Sequence, residues 1–307
     1  MTTNKKIIFI SSIFRDLVAV SPKFPKPGET ILGSDFFMGF GGKGANQCVM
    51  AAKLGAETVI VGKVGDDEHG QAYTDNLRQQ GVDIRYLGRE LGVSTGIATI
   101  FVESSTGENM IVIVAGANAR VTGEDVAKVE QDIVGGGAVV ATLELGMEAV
   151  RTGMMLGRKH GVPTILNAAP ARADYDKELL ANVDILVVNE TEAELLAGHN
   201  DLDTCGATLQ KLCRNVIITL GKDGALLWQE GQDKVKISGQ PVKQEDVIDT
   251  TGAGDSFVGS LAYFVSSRPD LSLAEAVTRS CSVASLSVLK KGTQASYPNK
   301  TEVQHLL

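Results

Sequence analysis

The sequence predicts an α/β fold built on a mostly parallel sheet. Short β-branched runs recur along the 307-residue chain, and helical-looking segments lie between them. This alternation is typical of a parallel sheet with helices on both faces. Several runs are apolar at successive positions, as expected of strands that are buried on both faces. Two extended segments interrupt the alternation and predict a small second sheet.

The expected elements of the main layers follow in chain order. The strands are expected in the runs KIIFIS, TVIVGKVG, AVVATLEL, VPTILN, VDILVVN and NVIITLG. The helices are expected at Ala45–Leu54, His69–Gln80, Met147–His160, Thr191–Ala197, Ser256–Ser267 and Leu273–Leu289.

The second sheet is expected from segments of about 17–40 and 95–115. The stretch STGIATIFVESSTGENMIVIVAGAN reads as strand, turn and strand, because SSTGEN consists of good turn formers. The first segment contains Pro22, Pro25 and Pro27, which exclude a regular helix. We expect both segments to form a lid or an interface within one domain of residues 1–307, with surface hairpins of no function as the alternative.

Charge and composition limit the classes of partner. The formal net charge is −8 and the sequence pI is about 5.1, which disfavours a nucleic-acid or anionic membrane surface. No apolar run approaches the length of a transmembrane helix, about 18 residues. The four cysteines show neither a C-x-x-C motif nor a disulfide framework, which favours a reducing, cytoplasmic location.

The glycine-rich stretch GFGGKGAN, residues 39–46, has the form of a phosphate-binding loop but lacks its partners. A dinucleotide fold needs an acidic residue near the end of the next strand, where this chain has Lys63. A Walker A loop needs Ser or Thr after the lysine, and Gly44 follows Lys43. The remaining interpretations are a backbone that a ligand approaches closely, with Lys43 and Asn46 as polar groups, or a structural glycine turn.

The stretch DTTGAGDSFVG, residues 249–259, predicts an anion site at the start of a helix. Small residues there leave backbone N–H groups free, and the helix dipole adds positive potential. A carboxylate beside such a site is explained if Asp255 removes a proton from a hydroxyl that attacks a phosphoryl group. The alternative is that Asp255 caps the helix.

The stretch NETEAE, residues 189–194, follows an expected strand and therefore faces the crevice where α/β sheets bind ligands. Glu192 and Glu194 are candidates to hold Mg²⁺ through water. The alternative is an N-capped helix with acidic residues in its first turn. The turn TLGKDG, residues 219–224, is a second candidate for contact with a nucleotide.

These motifs, in this order, resemble those of the ribokinase family of sugar kinases, also called the PfkB carbohydrate kinases. The similarity covers essentially the whole chain and includes GGKGANQ, GKVGDDEHG, IVIVAGAN, LNAAPA, VNETEAE, ITLGKDG, DTTGAGDSF and KKGTQASYP. The pairing of GFGGKGANQ with DTTGAGDSFVG is most similar to animal members. The resemblance implies a Rossmann-type three-layer core with a small β-sheet lid, often shared between two subunits of a homodimer.

The resemblance also implies transfer of the ATP γ-phosphate to the 5-hydroxyl of D-ribose, with Mg²⁺ accompanying ATP and K⁺ as an activating cation. It makes Asp255 the catalytic base and Gly252, Ala253 and Gly254 the anion hole. Sugar-binding positions are matched by Asp16, Gly42, Lys43, Asn46, Glu144 and Asp255. The nucleotide side is matched by Asn189, Thr219, Gly221, Gly224, Gly254 and Cys281, with Glu192 for Mg²⁺. Potassium positions are matched by Asp249, Thr251, Ser287, Lys290, Gly292 and Ser296, several through backbone carbonyls.

Two positions depart from the family pattern. Phe14 stands where bacterial members carry an Asn two residues before the sugar-binding Asp, and Cys281 stands where many relatives place an Asn near the nucleotide. These changes leave open the same chemistry on 2-deoxyribose, fructose or adenosine. A non-catalytic sugar- or nucleotide-binding protein is the remaining alternative. The resemblance implies a cytoplasmic enzyme and leaves the nucleus open as a second compartment.

Overall fold

The structure is a computed structural model that describes residues 5–172 and 175–307. Its strands, in chain order, are β1 (Ile7–Ile10), β2 (Phe14–Ser21), β3 (Asp35–Gly41), β4 (Thr58–Gly65), β5 (Asp83–Glu90), β6 (Gly96–Glu103), β7 (Asn109–Val114), β8 (Ala138–Thr142), β9 (Thr164–Asn167), β10 (Ile185–Asn189), β11 (Asn215–Thr219), β12 (Ala225–Gln229) and β13 (Val235–Ile237). Its α-helices are α1 (Lys43–Lys53), α2 (Glu68–Gln79), α3 (Gly123–Ala127), α4 (Glu130–Ile133), α5 (Met147–Lys159), α6 (Glu190–Ala197), α7 (Leu202–Gln210), α8 (Ala253–Ser267) and α9 (Leu273–Ser287).

Within these ranges, nine strands form one large sheet in the order β13-β12-β11-β10-β9-β8-β1-β4-β5. All neighbours from β11 to β5 pair in parallel, and only the pairs that involve β12 are antiparallel. The central strands β1, β8 and β9 are buried at every residue. The expectation of a mostly parallel sheet with doubly buried strands is therefore confirmed.

Helices cover both faces of this sheet and give three layers. One core cluster joins alternate strand side chains, such as Ile7 and Phe9, to α1, α2, α8 and α9. The other joins the intervening side chains, such as Ile8 and Ile10, to helices α3 to α7. Because successive strand residues point to opposite faces, one apolar run supplies both cores. None of the described helices is long and apolar enough to cross a membrane.

A separate four-stranded sheet, which we call the lid, has the order β3-β2-β6-β7. The β6–β7 pair is the expected hairpin, and β2 pairs with β3 antiparallel and with β6 in parallel. Strand β2 begins at Phe14, three residues before the expected lid segment, because its pairing with β3 and β6 starts at that residue. The lid therefore includes Asp16.

The two faces of the lid differ. Asp16 and Val18 lie on the face toward the main domain, whereas Arg15 and Leu17 lie on the opposite face. On that second face six large apolar side chains are between 36% and 62% exposed, namely Phe36, Met38, Phe101, Met110, Val112 and Val114. Clusters of exposed apolar side chains are common at protein interaction sites.

Candidate active site

The candidate site lies at the carboxyl edge of the large sheet. Ser12 follows β1, Glu144 follows β8, and the amino end of α1 lies beside both, since Lys43 N and Ser12 Oγ each donate a hydrogen bond to Glu144. Strand β1 has β8 on one side and β4 on the other. The next strands of this sheet in sequence, β4 and β5, extend it in one direction, and the strands from β8 onward extend it in the opposite direction. This is the position where open α/β sheets form their ligand crevice.

The glycines of GFGGKGAN allow three segments to pack closely. Gly42 has φ of 95°, and a Cβ there would lie 2.5 Å from the carbonyl oxygen of Ser12. A Cβ at Gly41 would overlap the carboxylate of Asp16, and one at Gly44 would lie 2.7 Å from Cα of Ser11. These contacts explain the glycines by packing, as the structural interpretation predicted. The same packing brings the first turn of α1 to the site.

Three carboxylates and one lysine line the crevice, of which Asp255 is buried and Asp16, Glu144 and Lys43 are half-buried. Burial raises the pKa of Asp16 to about 6, and the charges of Glu144 and Asp255 add to the increase while Arg15 opposes it. Burial also raises the pKa of Glu144, although Ser12 and Lys43 stabilise its charged form. Burial lowers the pKa of Lys43, but the surrounding carboxylates outweigh it, so the net change is upward. Lys43 therefore stays charged and compensates part of the negative charge.

Asp255 lies in the first turn of α8 and is 8% exposed. Its Oδ2 accepts a hydrogen bond of 3.0 Å from Asn46 Nδ2, and its Oδ1 accepts one of 3.0 Å from Gln47 Nε2. Burial raises the pKa of Asp255, and Lys43 and the two amides oppose the increase. The capping interpretation is wrong, because the N-cap is Gly252 in the left-handed conformation and no side chain caps the helix. The carboxylate instead points to α1.

The predicted anion hole lies at the start of α8. The helix begins at Ala253 rather than Ser256, because Gly252 takes φ of 78° and ends the preceding turn. The N–H of Ala253 donates to Thr250 O at 3.2 Å, so this amide already has a partner. A Cβ at Gly254 would meet none of the described atoms within 4 Å. Packing therefore gives no reason for this glycine, and the helix start offers room for a ligand.

On the predicted nucleotide side, Asn189 and Glu192 form a reciprocal capping box at the start of α6. The structural interpretation of NETEAE as a capped helix start is confirmed. In this cap, Asn189 N donates a hydrogen bond of 2.9 Å to Glu192 Oε2. Thr219 Oγ1 donates to Val188 O at 3.3 Å. Gly221 and Gly224 have φ of 54° and 98° and shape the turn that follows β11.

Cys281 is a nucleotide-side candidate that is buried in the core. It lies on α9 with 8% exposure and belongs to the apolar core that α8 and α9 share. Burial raises the pKa of its thiol to about 11. Its role toward a nucleotide stays a prediction.

The predicted potassium positions lie at the end of α9 and on two loops that contact each other. Asp249 accepts hydrogen bonds of 2.9 Å from Thr251 N and from Gly292 N. Ser287 Oγ and Ser296 Oγ donate to the carbonyls of Ala284 and Thr293, at 2.7 and 2.8 Å. An ammonium group has no lone pair, so Lys290 can serve a cation only through its backbone oxygen, and its side chain lies 2.7 Å from Glu302. In the part of the chain that the structure describes, no three His, Cys, Asp or Glu residues cluster as metal ligands.

Lys63, the residue that argued against a dinucleotide site, has a structural role. Its ammonium lies 2.9 Å from Asp125 and 3.3 Å from Glu90, and it donates to Arg120 O at 2.8 Å. These contacts tie β4 to β5, to α3 and to the segment that precedes α3.

Four polar residues of the site were missed by sequence reasoning: Gln47, Tyr73, Asn167 and Gln294. Gln47 Nε2 links Asp255 to Asn167 Oδ1 at 3.0 Å. Gln294 Nε2 donates to Asn46 Oδ1 at 3.0 Å and to Tyr73 Oη at 2.9 Å. For Gln47 and Asn167, the signal that could have found them is an amide inside an otherwise apolar, buried segment, where it must have a partner, and no such signal marks Tyr73 or Gln294.

Comparison with known proteins identifies the relatives of this chain. The family model described as pfkB family carbohydrate kinase matches residues 4–300. The chain is 41% identical over 303 residues to the ribokinase of Mus musculus, which covers 97% of this chain and 93% of the relative. It is 35% identical over 299 residues to the deoxyribokinase of Salmonella typhi, with 95% of each chain covered. The structure of Arabidopsis thaliana ribokinase complexed with ribose and ATP matches with a TM-score of 0.89 and 30% identity, over 99% of each chain.

Proposed function

This chain belongs to the pfkB family of carbohydrate kinases, and on that premise we propose that it transfers the γ-phosphoryl group of ATP to the 5-hydroxyl of D-ribose. The products are D-ribose 5-phosphate and ADP. The observation that carries the proposal is the position of Asp255, a buried carboxylate that two amides hold beside an open helix start. That combination suits removal of a proton next to a group that gains negative charge.

In the proposed reaction, Asp255 takes the proton of the 5-hydroxyl. The freed oxygen attacks the γ-phosphorus of ATP, a new P–O bond forms, and the bond from phosphorus to ADP breaks. Burial raises the pKa of Asp255, which makes it a better base than an exposed aspartate, while Lys43 keeps it ionised. Negative charge that develops on the phosphoryl oxygens would meet the amides of Gly252 and Gly254 and the dipole of α8.

The sugar is proposed to lie between the lid and the first turn of α1. Asp16 and Glu144 would accept hydrogen bonds from its hydroxyls, and Lys43 and Asn46 would donate to it, with Gly42 allowing close approach. The Asp16 carboxylate and the Lys43 ammonium have no hydrogen-bond partner among the described residues, and a hydroxyl-rich ligand would supply one to each. This demand supports an unmodified pentose as substrate.

We propose two cations for this site. Mg²⁺ would accompany ATP and be held through water by Glu192, whose pKa burial raises. K⁺ would be held by the loops of Asp249 and Gly292, where one carboxylate, hydroxyls and backbone carbonyls give the oxygen donors that hard cations prefer. When bound, each cation would supply positive charge beside the transferring phosphoryl group.

A coupled assay for ADP tests the function. Purified protein with ATP, Mg²⁺ and K⁺ should turn over D-ribose, and Asp255→Ala should keep its fold while losing on the order of 10² to 10⁴ in rate. Omission of K⁺, or Asp249→Asn, should lower the rate. No ADP with ribose, together with good turnover of fructose or adenosine, would contradict the assignment of the sugar. Wild-type turnover in Asp255→Ala would exclude the base role.

The same chemistry on 2-deoxyribose is the second candidate, and Phe14 is the observation that favours it. Phe14 is 4% exposed and offers no polar group on the sugar face of β2. A relative called deoxyribokinase is 35% identical over 95% of the chain. The ratio of kcat/KM for ribose and 2-deoxyribose decides between the two. A ratio near one would mean that the site does not require the 2-hydroxyl.

We also propose that the chain forms a homodimer through the lid. Six exposed apolar side chains cover the outer face of the lid, and a second copy of this sheet would bury them. Val112→Glu should then shift the mass measured by light scattering to that of a monomer. Leu32→Glu, at a residue that is 91% exposed outside the lid strands, is the matched control and should leave the mass unchanged.

We further propose a cytoplasmic location. All four cysteines are free and buried, which suits a reducing compartment. The net charge of −8 supports the absence of a nucleic-acid or membrane partner.

A further inference from the structure

A chain of amides leads from the surface of α2 to the carboxylate of Asp255. Asn76 Nδ2 donates to Gln294 Oε1 at 2.8 Å, Gln294 Nε2 donates to Asn46 Oδ1 at 3.0 Å, and Asn46 Nδ2 donates to Asp255 Oδ2 at 3.0 Å. We propose that Gln294 and Asn76 are positioning residues that fix the orientation of the Asn46 amide and, through it, the carboxylate of Asp255. This amide relay rests on the proposed role of Asp255 as base.

The hydrogen bonds of the relay all donate toward Asp255, because the carboxylate at that end can only accept hydrogen bonds. An ionised carboxylate has no donor, so Asn46 must present its NH₂ group to Asp255 and its oxygen to Gln294. Gln294 must then present its NH₂ group to Asn46 and its oxygen to Asn76. A flipped amide at any step would bring two oxygens together, and Asn46 and Gln294 are only 3% and 5% exposed. Water cannot easily relieve that repulsion.

A second contact fixes the other hydrogen of the Gln294 amide. Gln294 Nε2 also donates to Tyr73 Oη at 2.9 Å, and the Tyr73 hydroxyl in turn donates to Gly41 O at 2.6 Å. The hydroxyl is therefore an acceptor toward Gln294. Both donors of this NH₂ group are used, and the oxygen of the amide remains for Asn76.

The backbone around Gln294 is held independently of its side chain. Lys53 Nζ donates to Gln294 O at 2.6 Å and to Tyr297 O at 3.0 Å, and Thr293 Oγ1 donates to Phe40 O at 2.9 Å. Replacing the Gln294 side chain therefore removes the relay and leaves these anchors. This separation makes the proposal testable.

Two variants break the relay at different points. Gln294→Met keeps the approximate volume and removes the amide, and Asn76→Asp replaces the donor by a carboxylate that repels the Gln294 oxygen. Both leave Asp16, Lys43 and Glu144 in place. Thr293→Val, which removes one hydrogen bond from the same loop, is the control for the first variant. Gln79→Glu, which adds the same charge at an exposed residue of α2, is the control for the second.

We expect both relay variants to lower kcat on the order of tenfold, the effect of weakening one hydrogen bond to a charged group. The KM for ribose should rise, and the KM for ATP should stay unchanged. A weaker hydrogen bond from Asn46 raises the pKa of Asp255, so the increase of kcat/KM with pH should move to higher pH. The two controls should keep the wild-type kcat within twofold, and urea unfolding verifies that all four variants are folded.

The outcomes separate the relay from the function on which it rests. If the wild-type protein does not phosphorylate ribose, the proposed function fails. If it does, and Gln294→Met and Asn76→Asp keep the wild-type kcat and pH profile, the relay is refuted. Equal losses in the relay variants and their controls would also refute it, because they would indicate a general effect of loop or charge changes.

Discussion

Replacing Asp16 with asparagine should stabilise the unliganded protein and weaken its binding of ribose. Asp16 lies on the inner face of the lid, and burial together with the charges of Glu144 and Asp255 raises its pKa from 3.8 to about 6. It accepts no hydrogen bond within the described residues that asparagine would lose. The variant therefore removes a poorly solvated charge while keeping the shape of the side chain.

The magnitude follows from the pKa. One pKa unit corresponds to about 1.36 kcal/mol, so the ionised Asp16 lowers the free energy of unfolding by about 3 kcal/mol at pH 8. The folded state binds this proton more tightly than the unfolded state. The stabilising contribution of the proton is thus complete below about pH 3.8 and is lost as the pH rises through about 6. Asp16→Asn should gain about 3 kcal/mol at pH 8 and about half of that at pH 5.

Urea unfolding at pH 5 and pH 8 measures both values, and calorimetry measures the affinity for ribose. Affinity should fall by about 10- to 100-fold, since a hydrogen bond to a charged acceptor is lost. Asp35→Asn, at an exposed aspartate of the same sheet, is the matched control and should change stability little at either pH. A gain that is equal at both pH values, or a loss of stability at pH 8, would contradict this prediction.

Three further predictions follow from the site and its surroundings. Gly254→Ala should raise the free energy of unfolding by up to about 1 kcal/mol, because alanine favours a helix. It should also lower kcat, because its methyl group enters the space proposed for the phosphoryl group, and unchanged turnover would contradict the anion hole. Lys63→Met should lower the free energy of unfolding by about 1 kcal/mol, because the ion pairs of Lys63 with Asp125 and Glu90 are lost. The kcat should stay unchanged, and a lower kcat would show that the role of Lys63 is not only structural. The thiols of Cys48 and Cys281, whose pKa values burial raises to about 12 and 11, should resist a disulfide reagent at pH 8 until urea is added, and rapid labelling of the native protein would disprove their enclosure.

Sequence reasoning found the layers and the residues that carry charge. Runs such as Ile7–Ile10 and Ile185–Asn189 identified the strands because burial on both faces leaves an uninterrupted apolar pattern. Asp255 was found because an acid beside Gly252 and Gly254 is unusual at an anion site. Strand β5 was missed, because Asp83–Glu90 carries charges on a half-exposed edge and has no clear apolar run.

The contacts that orient the charged groups could not be predicted. Asn46 and Gln294 are separated by 248 residues, and their hydrogen bond depends on how the loop after α9 packs against α1. Periodicity shows which face of an element is buried, but it does not show which amide will face which carboxylate. The start of α8 was also displaced by three residues, because the left-handed conformation of Gly252 cannot be read from composition alone.

Strand β2 limits which changes of length this protein can accept during evolution. Its side chains alternate between the face of Asp16 and the face of Arg15 and Leu17. Deletion or insertion of one residue between Phe14 and Ser21 would exchange the two faces, so that a carboxylate would enter the apolar outer surface and an apolar residue would replace it in the crevice. The connection after Ser21 contains no strand until Asp35 and has no such constraint. Length variation among relatives should therefore concentrate in residues 22–34 and avoid the strand.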